Sequence, residues 1–497
     1  MQNTQASTLW QMLLAQSKPR GNAPALRSRG QEISYAHLAE QSVAMAAALQ
    51  AQGIQRGDHI AWLGLNHPLQ IALLFACAGM GAIAMPLNYR LAAPELERIL
   101  RDGQPRLLIH DAAWQELAEG LKRSCAVPLR SFQGLLDDGL KLPAANMSAG
   151  QANDAALLVY TSGTTGLPKG AVHTQNNLCR NMAIAGKNAA LDATDLIATV
   201  LPLFHVGGLC IQTLPALAAG ACVSLHERFD AGAALKSFAL ERPTLTLQVP
   251  ATMRALIEHA DWASTDLSSL RAVWAGSSVL PANLIEAFHA RGIPVCNVYG
   301  STETGPFSIS LPPAHARTHV GSCGWPASDD VHVKLLDAQQ GVGEICIRAP
   351  NVAERYWPDI ALKDEEGWFH TGDLARQAED GSYWVVGRAK DMLISGGENI
   401  YPAEIENLLA AQPGVIECAV VGVPDSKWGE VVAACVVLAT NETQEKAQQA
   451  LSTALNSQLA RYKLPRQWHF MSTLPKTALG KVQKAQLLAD LSRSQES

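Results

Sequence analysis

Tyr160-Thr161-Ser162-Gly163-Thr164-Thr165-Gly166-Leu167-Pro168-Lys169-Gly170 is the most informative stretch of this 497-residue chain. It follows a continuous apolar run, Ala155 to Tyr160, that starts after Asp154 and reads as a buried strand. Three glycines and four hydroxyl residues then fall within ten positions. Glycines let backbone approach a ligand closely, and N–H groups together with hydroxyls can wrap phosphate oxygens. Lys169 adds a point charge, and opposite unit charges ~4 Å apart attract by about 4 kcal/mol at an effective dielectric near 20. The order of residues is not that of a Walker A loop, since Lys169 follows Pro168 and precedes Gly170. A flexible linker is the bland alternative, and it fits poorly between a buried strand and a Pro-Lys-Gly stop.

Outward from this loop, Leu270 to Trp274 and Pro294 to Tyr299 are further apolar runs that end in small polar residues. Pro94 to Asp102 has helical spacing and stops at Gly103, and Arg106 to His110 reads as a strand. Apolar strands feeding Gly/Ser loops predict an α/β fold of largely parallel sheets covered on both faces, with ligands at the strand ends. The longest uncharged stretch, Ile71 to Leu87, is broken by Gly79, Gly81 and Pro86 and predicts a buried helix running into a buried strand. From Val331 the texture changes to short strands and turns (Val331 to Leu335, Gly343 to Arg348, Tyr383 to Val386). Beyond Lys390 follows a compact segment with helices at Pro402 to Ala411 and about Gln444 to Leu459. The expected division is a large N-terminal domain of packed α/β subdomains, 1–389, and a small α+β C-terminal domain, 390–497.

With 48% hydrophobic and 17% charged residues the chain is not of a disordered class. Its 39 basic and 45 acidic side chains, net −6, argue against a nucleic-acid partner. Ten cysteines include no C-x-x-C pair, so neither a disulfide framework nor a zinc site is expected, and a reducing compartment fits. The N-terminus lacks the layout of a signal peptide and no transmembrane segment stands out, which gives a cytoplasmic expectation. A homo-oligomer is compatible with the sequence.

The Thr161–Gly170 loop resembles the signature loop of the adenylate-forming superfamily, which includes acyl-CoA synthetases and 4-coumarate–CoA ligases. Further motifs follow in the family's order. Leu201-Pro202-Leu203-Phe204-His205-Val206-Gly207-Gly208 looks like the second motif, with His205 lining the acyl site and gating the thiol's path. Without that context a lone His among apolar residues would be a packing histidine. Val298-Tyr299-Gly300-Ser301-Thr302-Glu303-Thr304-Gly305 resembles the adenine and metal segment. The resemblance implies that Tyr299 stacks on adenine, Thr302 contacts the α-phosphate and Glu303 holds Mg²⁺, an ion that keeps waters and bridges nucleotide phosphates. Gly367-Trp368-Phe369-His370-Thr371-Gly372-Asp373 resembles the ribose motif: Asp373 would accept from both hydroxyls, with Arg388 reaching the same nucleotide. Lys390 occupies the hinge position, Gly396 and Gly397 fall in the loop that lines the thiol tunnel, and Lys481 matches the C-terminal catalytic lysine. In that last motif Leu479 stands where the family usually has Ser. The nucleotide-binding set implied is Thr161, Ser162, Gly163, Thr164, Thr165, Gly166, Lys169, Ala275, Gly276, Ser277, Asn297, Tyr299, Gly300, Ser301, Thr302, Asp373, Arg388 and Lys481, with Gly396 and Gly397 on the thiol side.

The implied reaction has two steps. A carboxylate attacks the α-phosphate of ATP and expels pyrophosphate, and a thiol, with coenzyme A the default, then attacks the acyl-adenylate. The C-terminal domain would be mobile, rotating about Lys390 to exchange Lys481 for the Gly397 face between the steps. Val298 stands where malonate-activating relatives carry arginine, which favours an acid with an apolar or aromatic tail. Gly207 and Gly208 are expected to leave room in the acyl pocket. The alternatives are a stand-alone adenylation enzyme loading a separate carrier protein and a non-catalytic nucleotide-binding regulator. The second is disfavoured because Glu303 and Lys481 are both present.

Overall fold

The computed structural model describes residues 6–161, 168–276, 280–339, 341–395, 398–425, 428–439, 443–477 and 480–495. Two large mixed sheets organise the first three quarters of the chain. In the nine-stranded sheet, the strands Pro24–Ser28, Cys222–Leu225, Leu196–Thr199, Leu245–Gln248, Ala272–Gly276 and Val295–Tyr299 form a parallel centre, and antiparallel strands close both edges. In the eight-stranded sheet, Ala155–Thr161, Ile83–Pro86, His59–Leu63, Leu107–His110 and Leu129–Ser131 are parallel.

The expectation of largely parallel sheets therefore holds for the centres of both sheets, with one important exception. Lys169–Thr174 pairs antiparallel with Ala155–Thr161, in the register Thr161↔Lys169 and Tyr160↔Gly170. The Gly/Ser/Thr stretch thus joins two paired strands instead of leading from a strand into a helix.

One core cluster runs through both large sheets, joining Ile60, Trp62, Leu157 and Val159 of one to Ile197, Val273 and Trp274 of the other. The helix Pro68–Met80 lies in it with all its residues buried. His67 caps its start by accepting from Leu69 N–H, and Gly81 ends it in the left-handed conformation, φ 77°. The strand Ile83–Pro86 follows, also buried throughout, as Ile71 to Leu87 predicted. No helix among the described residues is long and apolar enough to cross a membrane.

His332–Gln339, Val342–Arg348, Phe369–Gln377 and Tyr383–Arg388 form a four-stranded antiparallel sheet. Past it, Leu393–Ser395, Glu398–Ile400, Val415–Asp425, Gly429–Leu438 and Gln467–Phe470 make a five-stranded sheet flanked by Pro402–Ala410, Gln444–Asn456 and Lys484–Gln495. Its two core clusters draw only on residues from Leu393 onward. All ten cysteines are free.

Candidate active site

Asp373 and Arg388 are register partners on neighbouring strands, which brings Arg388 Nε to 2.9 Å from Asp373 Oδ1. Tyr299, at the end of Val295–Tyr299, donates its O–H to Asp373 Oδ2 at 2.8 Å. Burial lifts the Asp373 carboxyl above its usual range, and Arg388 and the Tyr299 hydroxyl oppose that shift. Tyr299 is pushed well above an ordinary phenol, by burial first and by Asp373 second. Beyond the stacking role implied by the resemblance, this side chain anchors the ribose-motif carboxylate.

Lys481 leaves a short turn in which Gly480 N–H donates to Thr477 O and Thr477 N–H to Lys481 O. Solvent reaches Lys481, yet protein surrounds it on most sides, as befits a side chain reaching into an open cleft. Those walls lower its pKa by desolvation, and Arg388 lowers it further, against the attraction of Asp373 and Glu303. The structure thus gathers Lys481, Asp373, Arg388 and Glu303 from four separate chain segments into one electrostatic neighbourhood. Because Lys481 loses its proton earlier than an ordinary lysine, pyrophosphate exchange should fall on the alkaline side below pH ~10.4, the ordinary lysine value. Thiol transfer from a supplied acyl-adenylate should lack that limb; the same limb in both profiles would assign it to another group.

Glu303 Oε1 accepts from Tyr356 O–H at 3.0 Å, and Lys169 Nζ stands 5.3 Å from the centre of the Tyr356 ring. Tyr356 therefore couples the expected metal carboxylate to the lysine that closes the Gly/Ser/Thr stretch. The Glu303 loop is folded back on itself: a Cβ at Gly300 would lie 2.1 Å from Pro306 O, and Gly305 has φ +80°. Asn351, fully buried, ties this loop down by donating to Thr304 O at 3.0 Å. Thr302 is buried and its carbonyl accepts from His173 Nε2 at 2.8 Å, linking the loop to the strand Lys169–Thr174. Burial holds His173 down to about 4, so it is neutral at physiological pH. Tyr356, Asn351 and His173 escaped the sequence reading because each acts across long-range pairings that leave no local signature.

His205 Nδ1 accepts from Gly207 N–H at 3.0 Å, which places the proton of the neutral ring on Nε2. Burial, then the positive charges of Lys481 and Arg90, push its pKa down to about 4. It is at once a loop-packing histidine and a neighbour of Lys481.

Thr161 Oγ1 donates to Lys169 O at 3.4 Å across the paired strands. Ala275 and Gly276 end their strand, with no space for a Cβ at Gly276, 2.5 Å from Val298 O. Ser301 N–H is held by Thr304 Oγ1 at 2.8 Å, and the buried Asn297 amide donates to Ser322 O at 3.2 Å, a scaffold contact. Lys390 is exposed in a single turn of tight helix, Ala389–Asp391, after Arg388. Ser162, Gly163, Thr164, Thr165, Gly166, Ser277, Gly396 and Gly397 lie outside the described residues.

One expectation is corrected. Gly208 does not leave room for substrate: a Cβ there would lie 2.3 Å from Pro202 O and 2.7 Å from Leu201 O, so its smallness is consumed by backbone packing. At Gly207 such a Cβ would meet only the His205 ring, at 3.0 Å from Nδ1. Gly208→Ala should therefore lower stability by about 1–3 kcal/mol, the usual cost of overpacking. Thermal melting and an acid-length series check this: a shortened acid preference with an unchanged Tm would restore the pocket-lining role.

A model of AMP-binding enzymes matches residues 13–357, and one of the AMP-binding enzyme C-terminal domain matches 404–481. The chain is 43% identical to an indoleacetate–CoA ligase of Aromatoleum aromaticum, over 93% of each protein. It is 40% identical to a feruloyl-CoA synthase of an Amycolatopsis species, over 96% of this chain and 97% of the other. Among solved structures, an anthranilate–CoA ligase in complex with anthranoyl-AMP superposes with a TM-score of 0.92, at 27% identity over 98% of both chains. An o-succinylbenzoate–CoA synthetase of Bacillus subtilis, in complex with ATP and a magnesium ion, does so at 0.85, with 30% identity over 96% of this chain and 98% of the other.

Proposed function

The chain belongs to the AMP-binding enzyme family and is an AMP-forming acid–CoA ligase, and from that premise we propose that it activates an aryl or arylalkanoic acid through the cleft just described. The observation that carries the site assignment is the convergence of Lys481 and Glu303 on the strand-paired Asp373 and Arg388, which sets charges of both signs around one cleft.

In the adenylation step Asp373 accepts from the ribose diol, as an acceptor-only carboxylate suits two adjacent hydroxyls. Arg388 and Tyr299 hold it ionised and aimed despite its burial. Lys481 stands where charge builds as carboxylate meets α-phosphate and offers that charge a preorganised cation. Lys169 offers a second cation at the other end of the Gly/Ser/Thr stretch. Glu303 fits Mg²⁺: it is a lone carboxylate in a loop of small residues, oriented by the Tyr356 hydroxyl, and that ion prefers one or two carboxylates plus phosphate oxygens. When bound, magnesium supplies charge neutralisation on the phosphates. His205, neutral and beside Lys481, lines the boundary between the acid and thiol sides.

The division at 389/390 and a hinge at Lys390 are supported by the exposed turn there and by the separate apolar cores beyond Leu393. Rotation at Lys390 withdraws Lys481 and gives a thiol access to the acyl-adenylate.

Val298 supports an acid with an uncharged tail, and the relatives named for indoleacetate and feruloyl-CoA support an aromatic one. The fatty-acid ligase of Mycobacterium tuberculosis is less similar to the chain, at 33% identity. Acids of both types should be compared by kcat/KM for CoA-thioester formation. Indole- and hydroxyaryl acids are expected to exceed saturated fatty acids of similar length by tenfold or more, and the reverse order would replace the aryl assignment with a fatty acid.

A further inference from the structure

Away from the nucleotide cleft, the antiparallel strands Val342–Arg348 and Phe369–Gln377 bring together Glu344, Cys346 and His370, with Cys346 and His370 as register partners. Glu344 and Cys346 are two apart on one strand and share a face. Cys346 Sγ lies 3.6 Å from His370 Nδ1, and Glu344 Oε2 lies 3.7 Å from the same nitrogen. One ligand-capable atom from each of the three falls within 4.8 Å of the others.

The two separations from His370 Nδ1 match those of a tetrahedral zinc site. Bonds of about 2.3 Å to sulfur and 2.0–2.1 Å to nitrogen or oxygen set S···N near 3.5 Å and N···O near 3.4 Å. An independent feature points the same way. Asp364 Oδ2 lies 3.0 Å from His370 Nε2, which holds the ring proton on that side and turns the Nδ1 lone pair towards the thiol and the Glu344 carboxylate. A carboxylate behind a ligating imidazole is the common outer layer of zinc sites. Sulfur and nitrogen donors also disfavour Mg²⁺, which separates this cluster from the nucleotide's ion.

We propose that Glu344, Cys346 and His370 bind one Zn²⁺, with Asp364 orienting His370 and a fourth position left to water or an outside ligand. The spacing rules that spoke against zinc in the sequence missed this set because it has one cysteine and a histidine 24 residues away, joined only by strand pairing. The site also touches the catalytic strand. Glu344 Oε1 accepts from Gly372 N–H at 2.9 Å, immediately before Asp373, so an ion on Oε2 would stiffen the turn that presents the ribose carboxylate.

The test uses the full chain, stripped with a chelator and titrated with Co²⁺ and then Zn²⁺. One equivalent of Co²⁺ should give a thiolate-to-cobalt charge-transfer band that one equivalent of Zn²⁺ removes. Cys346→Ser should abolish the band, and Asp364→Asn should weaken Zn²⁺ binding by roughly 10- to 100-fold, as loss of an outer partner does. Asp364 is partly exposed and is no ligand, so this variant keeps the test readable if Cys346→Ser fails to fold. No retained metal in the unaltered chain, or binding that is equal in both variants, overturns the proposal.

Discussion

Lys481→Ala should cut pyrophosphate exchange by at least 10²- to 10³-fold while leaving CoA attack on a supplied acyl-adenylate largely intact. The magnitude follows from removing one preorganised charge from the place where negative charge builds, worth about 2.7–4 kcal/mol in comparable sites. The asymmetry follows from position. Lys481 shares the cleft with Asp373, Arg388 and Glu303, groups assigned to the nucleotide. It sits on the segment whose rotation about Lys390 would carry it away before the thiol arrives. Measuring the two half-reactions separately on one preparation is the check, and equal losses in both would remove the alternation from the mechanism.

The second large effect is expected at the ribose. Asp373→Asn preserves shape but removes an acceptor-only group and its charge. Two charge-assisted hydrogen bonds at about 1.5–3 kcal/mol each predict a fall of roughly 10²- to 10⁴-fold in kcat/KM for ATP, with the KM for the acid little changed. A 2′-deoxy nucleotide separates this from general damage. The unaltered enzyme should discriminate strongly against it and the variant should not, whereas undiminished discrimination would place the diol elsewhere. The variant also leaves Arg388 without its partner at 2.9 Å, so a melting curve should accompany the kinetics.

Much of this site is visible in the sequence because its parts are local: a strand that stops in glycine and hydroxyl residues, a lone carboxylate between Thr302 and Thr304, a lysine after Gly480. What escaped depends on pairing between distant segments. Phe369–Gln377, the strand bearing Asp373, is polar and carries Gly372, so no apolar alternation marks it. The direction of Lys169–Thr174 is set by its partner strands, which no periodicity reports. Tyr356 reaches Glu303 only because Arg355–Tyr356 pairs with that strand. Gly208 shows the opposite failure, a correct residue with a wrong reason: small size in a sequence does not say whether substrate or backbone uses the space. The last helix, Lys484–Gln495, leaves a weak signal because its buried apolar side chains are few, Leu487 and Leu491 among the described residues.

The central claim is that one cleft forms an aryl-adenylate and then hands the acyl group to CoA. Rapid quenching of enzyme, ATP, magnesium and an indole or hydroxyaryl acid, with CoA added after the first turnover, tests it most directly. The expected record is one acyl-adenylate and one pyrophosphate per active site before CoA, followed by conversion of that adenylate to aryl-CoA and AMP. Formation of ADP and phosphate, or an adenylate that persists when CoA is present, would contradict it.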